Sequence, residues 1–170
     1  FRFARKYAAP GVKLFYNDYN TFNPFKRNAI MELIVNPLME EKLIDGIGMQ
    51  SHLVLNDFDT CLPEYEKTLE TFGATGLEIH STELDIHNAD PSEEGMHKLA
   101  EAYKALFSLY LKAKKEGKAN LTSVTFWGMK DDVSWLTGFR KERSYPMLFG
   151  DKWEEKEAYR AVVAVAEEAN

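Results

Sequence analysis

Short apolar runs that finish in polar or aromatic groups alternate along the chain with longer stretches whose apolar residues recur every three or four positions. The first pattern predicts strands and the second amphipathic helices. Four strands are expected, over Val12–Tyr16, Ile44–Gln50, Leu77–Ile86 and Leu121–Trp127. Between the first two, Asn23 caps a helix with Pro24 at its first position, and Ala29, Ile30, Leu33 and Ile34 form its buried stripe up to a break or kink at Pro37. The next helix carries Leu62, Tyr65, Leu69 and Phe72 and stops at Gly73. Asp90-Pro91-Ser92-Glu93 reads as an N-cap with Pro at the first helical position, opening a long helix with Met96, Leu99, Tyr103, Leu106, Phe107 and Tyr110 on one face and Gly117 at its end. An irregular loop over 128–152 follows, then a last helix with Tyr159, Val162, Val163 and Ala166 on one side.

Strands that alternate with helices of this length imply parallel pairing, because parallel neighbours need long crossovers. The fold class is therefore α/β, and four such strands suit either a small open sheet or half of an eight-stranded barrel. The units share no consensus, which argues against a helical solenoid. Asn17, Gln50 and Glu83 lie 33 residues apart in succession, so the units bring their strand tips to one end of the sheet. Gly46-Ile-Gly48 falls inside a strand and lacks the strand, turn and helix context of a dinucleotide site.

With 170 residues, 45% of them hydrophobic, the chain can bury one sizeable core. A net charge of -6 argues against a nucleic acid or an anionic membrane as partner, since both call for a basic patch. No run approaches the ~20 apolar residues of a membrane span. The single Cys61 has no second thiol to pair with and reads as a buried or half-buried thiol. The opening Phe1 to Gly11 lacks an initiator Met and resembles the last turns of a helix, so the chain is expected to be cut from something longer.

Glu83 is the residue with the fewest structural reasons to be where it is, a carboxylate at the tip of an apolar strand. Such a group beside aromatic walls can attack an anomeric carbon and divide glycoside hydrolysis into two easier steps. His52 follows the neighbouring strand and Asp85 lies two residues beyond Glu83, so one imidazole can bridge both carboxylates. Trp127 and Trp135 offer faces on which a sugar can stack, and Asn17, Asn20 and Gln50 either bond hydroxyls or cap turns. His52, His80, His87 and His97 contain no metal-ligand spacing, and no cofactor motif is present; His87 and His97 are expected to be solvated.

The runs Leu14-Phe-Tyr-Asn-Asp-Tyr-Asn20, Ile44-Asp-Gly-Ile-Gly-Met-Gln-Ser-His52, Thr82-Glu-Leu-Asp-Ile86, and Thr125-Phe-Trp-Gly128 with Asp131-Asp-Val-Ser-Trp135 resemble, in order and spacing, the strand-five to strand-eight motifs of glycoside hydrolase family 10 endo-β-1,4-xylanases. The resemblance covers nearly the whole chain. It implies that residues 1–170 are the C-terminal half of a single TIM barrel that cleaves xylan with retention. By the same resemblance Glu83 is the nucleophile and His52 and Asp85 support it. Gln50 lies near the acid/base, Trp127 and Trp135 line the glycone side, and Asn17, Tyr19 and Asn20 face the aglycone. Two residues depart from the pattern: Ser51 stands where Gly is frequent, and His80-Ser81 where apolar residues are usual. The family's acid/base Glu belongs to the N-terminal half, expected as a second polypeptide segment, without which this half would be inactive. A secreted or cell-surface location is implied too. The competing readings are the same barrel acting on another β-glycan and a non-catalytic carbohydrate-binding half-barrel.

Overall fold

A computed structural model describes residues 1–168. The elements are, in order, α1 (Arg2–Tyr7), β1 (Phe15–Asp18), α2 (Pro24–Ile30), α3 (Asn36–Glu40), β2 (Gly46–Met49), β3 (His52–Val54), α4 (Phe58–Gly73), β4 (Glu78–His87), α5 (Glu93–Lys115), β5 (Asn120–Phe126), α6 (Trp135–Arg140) and α7 (Glu157–Glu168). Every strand pairing is parallel. β1, β2 and β4 lie side by side with β5 beyond β4, and β3 continues the line of β2 along β4 after an interruption at Gln50 and Ser51.

α4 and α5 cover one face of the sheet and close a core that includes Ile47, Met49, Leu69, Phe72, Ile79, Leu84, Leu99 and Leu106. α4 runs through Gly73, whose role is close approach: a Cβ there would sit 1.8 Å from the Lys118 carbonyl oxygen. α7 packs against α5, with Ala158 and Val165 buried and Ala161 and Val162 partly buried, while Ala166 is exposed, contrary to the expected stripe.

Several expected boundaries move. The first strand pairs only from Phe15, where Gly46 begins to lie opposite it, because pairing and not apolarity defines the ladder. Pro37 does not break its helix. A π-helical turn over Met31–Val35 precedes it, and the wider turn relieves the clash that a proline ring makes with the carbonyl four residues back. The extra residue in that turn also shifts the buried stripe, so that Val35 is buried and Leu33 is 70% exposed. The cap of α5 is Ser92, which accepts from the Gly95 N–H, whereas Pro91 and Asp90 lie before the helix. His87 is buried, its ring nitrogens against Ser144 Oγ (2.9 Å) and Glu142 Oε1 (3.2 Å); His97 is exposed, as expected. Cys61 is half-buried, and burial, with Asp57 nearby, pushes its thiol up to about 11.

The segment expected to be irregular contains α6 and is held by a buried ion pair. Lys156 Nζ donates to Asp131 Oδ2 (2.8 Å) and to the Tyr145 carbonyl (2.9 Å), and Asp131 Oδ1 accepts from the Met147 N–H (2.8 Å). Burial raises the Asp131 pKa and lowers that of Lys156, each against the pull of its partner. Replacing Lys156 by Ala leaves a buried carboxylate alone, so unfolding by urea should show a loss of about 3 kcal/mol. A loss below about 1 kcal/mol would be that of a solvated surface pair.

Candidate active site

The tip of β4 departs from regular pairing with both of its neighbours. Met49 lies opposite Ser81 and His52 opposite Asp85, so β4 uses one residue more than β2 and β3 over the same distance. Against β5 the same excess appears between the pairs Ser81–Val124 and Leu84–Phe126. An extra residue of this kind re-aims side chains and bends the strand. Here it turns Thr82 and Glu83, consecutive residues, to the same side: Thr82 Oγ1 donates to Asn17 Oδ1 (2.7 Å) and Asn17 Nδ2 donates to Glu83 Oε1 (2.9 Å). Gly48 on β2 leaves room for that amide, since a Cβ at this position would sit 2.5 Å from Asn17 Oδ1. The Glu83 N–H is tied to the Gln50 carbonyl (3.0 Å).

His52 stands between the two carboxylates, its Nε2 3.4 Å from Glu83 Oε2 and its Nδ1 2.9 Å from Asp85 Oδ1. Asp85 is fully buried, and its other oxygen accepts from Trp135 Nε1 (2.8 Å). The Trp135 ring meets His52 edge-on at 5.0 Å. Burial draws the His52 pKa down, but the hydrogen bond and charge of Asp85, followed by Glu83, outweigh it and leave the value raised. An imidazolium donates through both nitrogens, which is what two flanking carboxylates require. Because the folded-state pKa is raised, the stabilisation from His52 is fully present below the unfolded value, about 6.5, and is lost as pH rises through the folded one. Urea unfolding of the parent and a His52→Asn variant across this range should show the parent's stability advantage shrinking towards high pH. A constant gap would mean that His52 is not charged in the fold.

The remaining candidates are placed unequally. Gln50 and Asn20 line a cleft of about 630 Å³ together with Tyr19, His52, Trp135 and Phe139. Tyr19 is 55% exposed, with Lys26 Nζ 3.5 Å from its ring centroid and in turn bonded to Asp18 (2.7 Å). Asn20 takes a left-handed backbone (φ 49°) and its carbonyl accepts from the Asn23 N–H. Trp127 joins none of these polar contacts; its ring is 47% exposed, and its backbone N–H is tied to Leu84. Trp135, expected as a wall, also orients Asp85. Thr82, Phe139 and Arg140 belong to the site or its cleft and were not singled out from sequence. Among the described residues no group of three or more His, Cys, Asp or Glu side chains could hold a metal ion.

Comparison with known proteins bears directly on this geometry. The model of glycosyl hydrolase family 10 matches residues 1–165. The chain belongs to glycosyl hydrolase family 10. An endo-1,4-beta-xylanase B of Butyrivibrio fibrisolvens is 60% identical over 166 residues, which are 98% of this chain and 26% of that protein. A Thermobacillus composti GH10 xylanase superposes with a TM-score of 0.85 at 40% identity, covering 96% of this chain and 55% of the other. A Clostridium thermocellum endo-1,4-beta-D-xylanase solved with xylohexaose gives a TM-score of 0.83 at 34% identity, covering 96% of this chain and 31% of the other. The chain thus spans about a quarter of the length of the Butyrivibrio relative. Its parallel sheet is a partial TIM barrel, the C-terminal part of the family 10 domain.

Proposed function

We propose that this chain is the nucleophile-bearing half of an endo-1,4-β-xylanase that hydrolyses xylan with retention of anomeric configuration. The observation that carries the reading is Glu83 on a bulged strand tip, with Asn17 on one carboxylate oxygen and His52 on the other. Glu83 attacks the anomeric carbon of the sugar on the glycone side, and a glycosyl ester forms as the leaving oxygen takes a proton. Water then attacks the ester, giving up a proton to the same group that supplied the first one. Asn17 and His52 hold the carboxylate at a fixed angle, and Asp85 with Trp135 fixes the His52 ring.

The proton donor is a second carboxyl about 5 to 5.5 Å from Glu83. Asp85 is taken up by His52 and Trp135; membership of family 10 implies that the donor is a Glu of the N-terminal half of the barrel, supplied by another polypeptide segment. The greater length of the related xylanases supports this. Xylan is a polymer met outside the cell, which fits a secreted or cell-surface enzyme. The test is to join this chain to that preceding half and assay beech or birch xylan beside cellulose and mixed-linkage glucan. Xylan cleavage at internal bonds is expected. Preferential glucan cleavage would shift the substrate, and sugar binding with no turnover would make the half-barrel a binding module. A Trp127→Ala variant should weaken KM by about 10-fold through loss of a stacking face, and an unchanged KM would remove Trp127 from the binding surface.

A further inference from the structure

Beneath the site, four hydroxyls meet where nothing in the reaction calls for them. Ser51, Tyr65, Ser81 and Tyr110 are 3%, 1%, 1% and 2% exposed. Ser51 Oγ lies 2.6 Å from Tyr65 OH, which lies 2.8 Å from Tyr110 OH; Tyr110 OH donates to Ser81 Oγ (3.1 Å) and Ser81 Oγ to Ser51 Oγ (2.9 Å). A ring of four hydroxyls holds four protons, and one of them leaves it: Ser51 Oγ donates to the Met49 carbonyl (2.9 Å). Three protons remain for the four ring contacts, so Tyr65 OH donates to Ser51 or to Tyr110 and not to both; the ring is anchored to the backbone at one point, the last residue of β2.

That point is where the neighbouring strands both leave regular geometry. Ser51 has a φ of 66°, a left-handed conformation that costs a non-glycine residue roughly 1 kcal/mol or more. Ser81 is the last residue before the extra residue of β4. The two serines, bonded to each other, thus join the interruption between β2 and β3 to the start of the bulge in β4. Two backbone bonds leave the same spot: the Glu83 N–H reaches the Gln50 carbonyl (3.0 Å) and the Asp85 N–H the Ser51 carbonyl (3.4 Å). Burial pushes both phenols to higher pKa, so the ring stays neutral across the working range.

We propose that Ser51, Ser81, Tyr65 and Tyr110 are positioning residues for the nucleophile: their hydroxyl ring clamps the strand interruption to the β4 bulge and so sets the angle at which Glu83 and Asp85 meet His52. They touch no substrate. Their effect passes through the backbone of Gln50 and Ser51, which deepens the assignment of Glu83 made above and rests on it. Removing one hydroxyl takes a hydrogen-bond partner from its two neighbours in the ring and lets the bulge relax, since a partly satisfied polar network loses its rigidity.

The test uses the complete barrel containing this chain and an aryl xylobioside, whose good leaving group makes attack by Glu83 the step observed. Tyr110→Phe and Tyr65→Phe are compared with Tyr103→Phe, which removes a buried hydroxyl of α5, the helix that carries Tyr110, bonded to the Pro146 carbonyl and outside the ring. Each ring variant should lower kcat about 10-fold with KM changed less than about 2-fold, and should move the His52 imidazole resonances in a nitrogen-15 spectrum. Tyr103→Phe should lower the melting temperature and leave kcat and the imidazole unchanged. Ring variants that melt earlier but keep kcat and the imidazole signals, or a Tyr103→Phe that loses as much kcat, would overturn the proposal. Should a tyrosine variant fail to fold, Ser81→Ala reads the same quantities. A parent with no activity on xylosides would instead count against the function assigned to Glu83.

Discussion

Replacing Glu83 by Ala in the complete barrel is expected to lower kcat on xylan by at least about 10⁴-fold, the scale of losing a covalent nucleophile. The fold should survive, because the Glu83 side chain keeps 15% exposure and truncating it leaves the Thr82–Asn17 and His52–Asp85 bonds in place. Added azide should restore turnover of an aryl β-xylobioside and give the α-xylobiosyl azide, since the small anion attacks from the side that the carboxylate occupied. A variant that keeps within about 10-fold of parental kcat would remove Glu83 from covalent chemistry altogether.

The second large effect is expected from Asp85→Asn. Both carboxylate oxygens of Asp85 accept from donors, His52 Nδ1 and Trp135 Nε1, in a place with no access to water. An amide has one acceptor oxygen, so one of the two donors must face an NH₂ group. The unmatched pair should cost about 2 kcal/mol of stability. Loss of orientation of His52 should lower kcat about 100-fold, as for other residues that orient a functional histidine. The Asp85 hydrogen bond is the largest influence raising the His52 pKa, so in the variant the imidazole should titrate at lower pH than in the parent. Nitrogen-15 titration of the two proteins reads this directly. An unchanged imidazole titration would mean that Glu83 alone sets the charge of His52.

The tips of the strands were legible because an apolar run that ends in a carboxylate, an amide or a histidine gives up burial for something else. Asn17, His52, Glu83 and Asp85 come together as expected. What joins them was not legible. The extra residue of β4 is a property of its register against both neighbours, and no local composition marks it. The left-handed Ser51 is no glycine, and the one sign of its backbone is that it stands where the family frequently has Gly. α6 was read as loop because its six residues are too few to show helical periodicity. Sequence assigns the Trp135 ring to sugar stacking and its N–H to a sugar hydroxyl, whereas that N–H donates to Asp85. The outward Leu33 follows from one residue inserted in a π turn, which a 3.6-residue template cannot register.

The measurement closest to the central claim is a covalent trap. A xylobioside with fluorine at C2 and a good leaving group at C1 forms its glycosyl ester and then hydrolyses slowly, because fluorine destabilises the cationic transition state of both steps. Incubated with the complete barrel and digested, the protein should yield the peptide around Thr82-Glu83-Leu84 heavier by one fluoroxylobiosyl group, with the ester on Glu83. Release of the sugar with no labelled peptide, or a label on another carboxylate, would contradict the account.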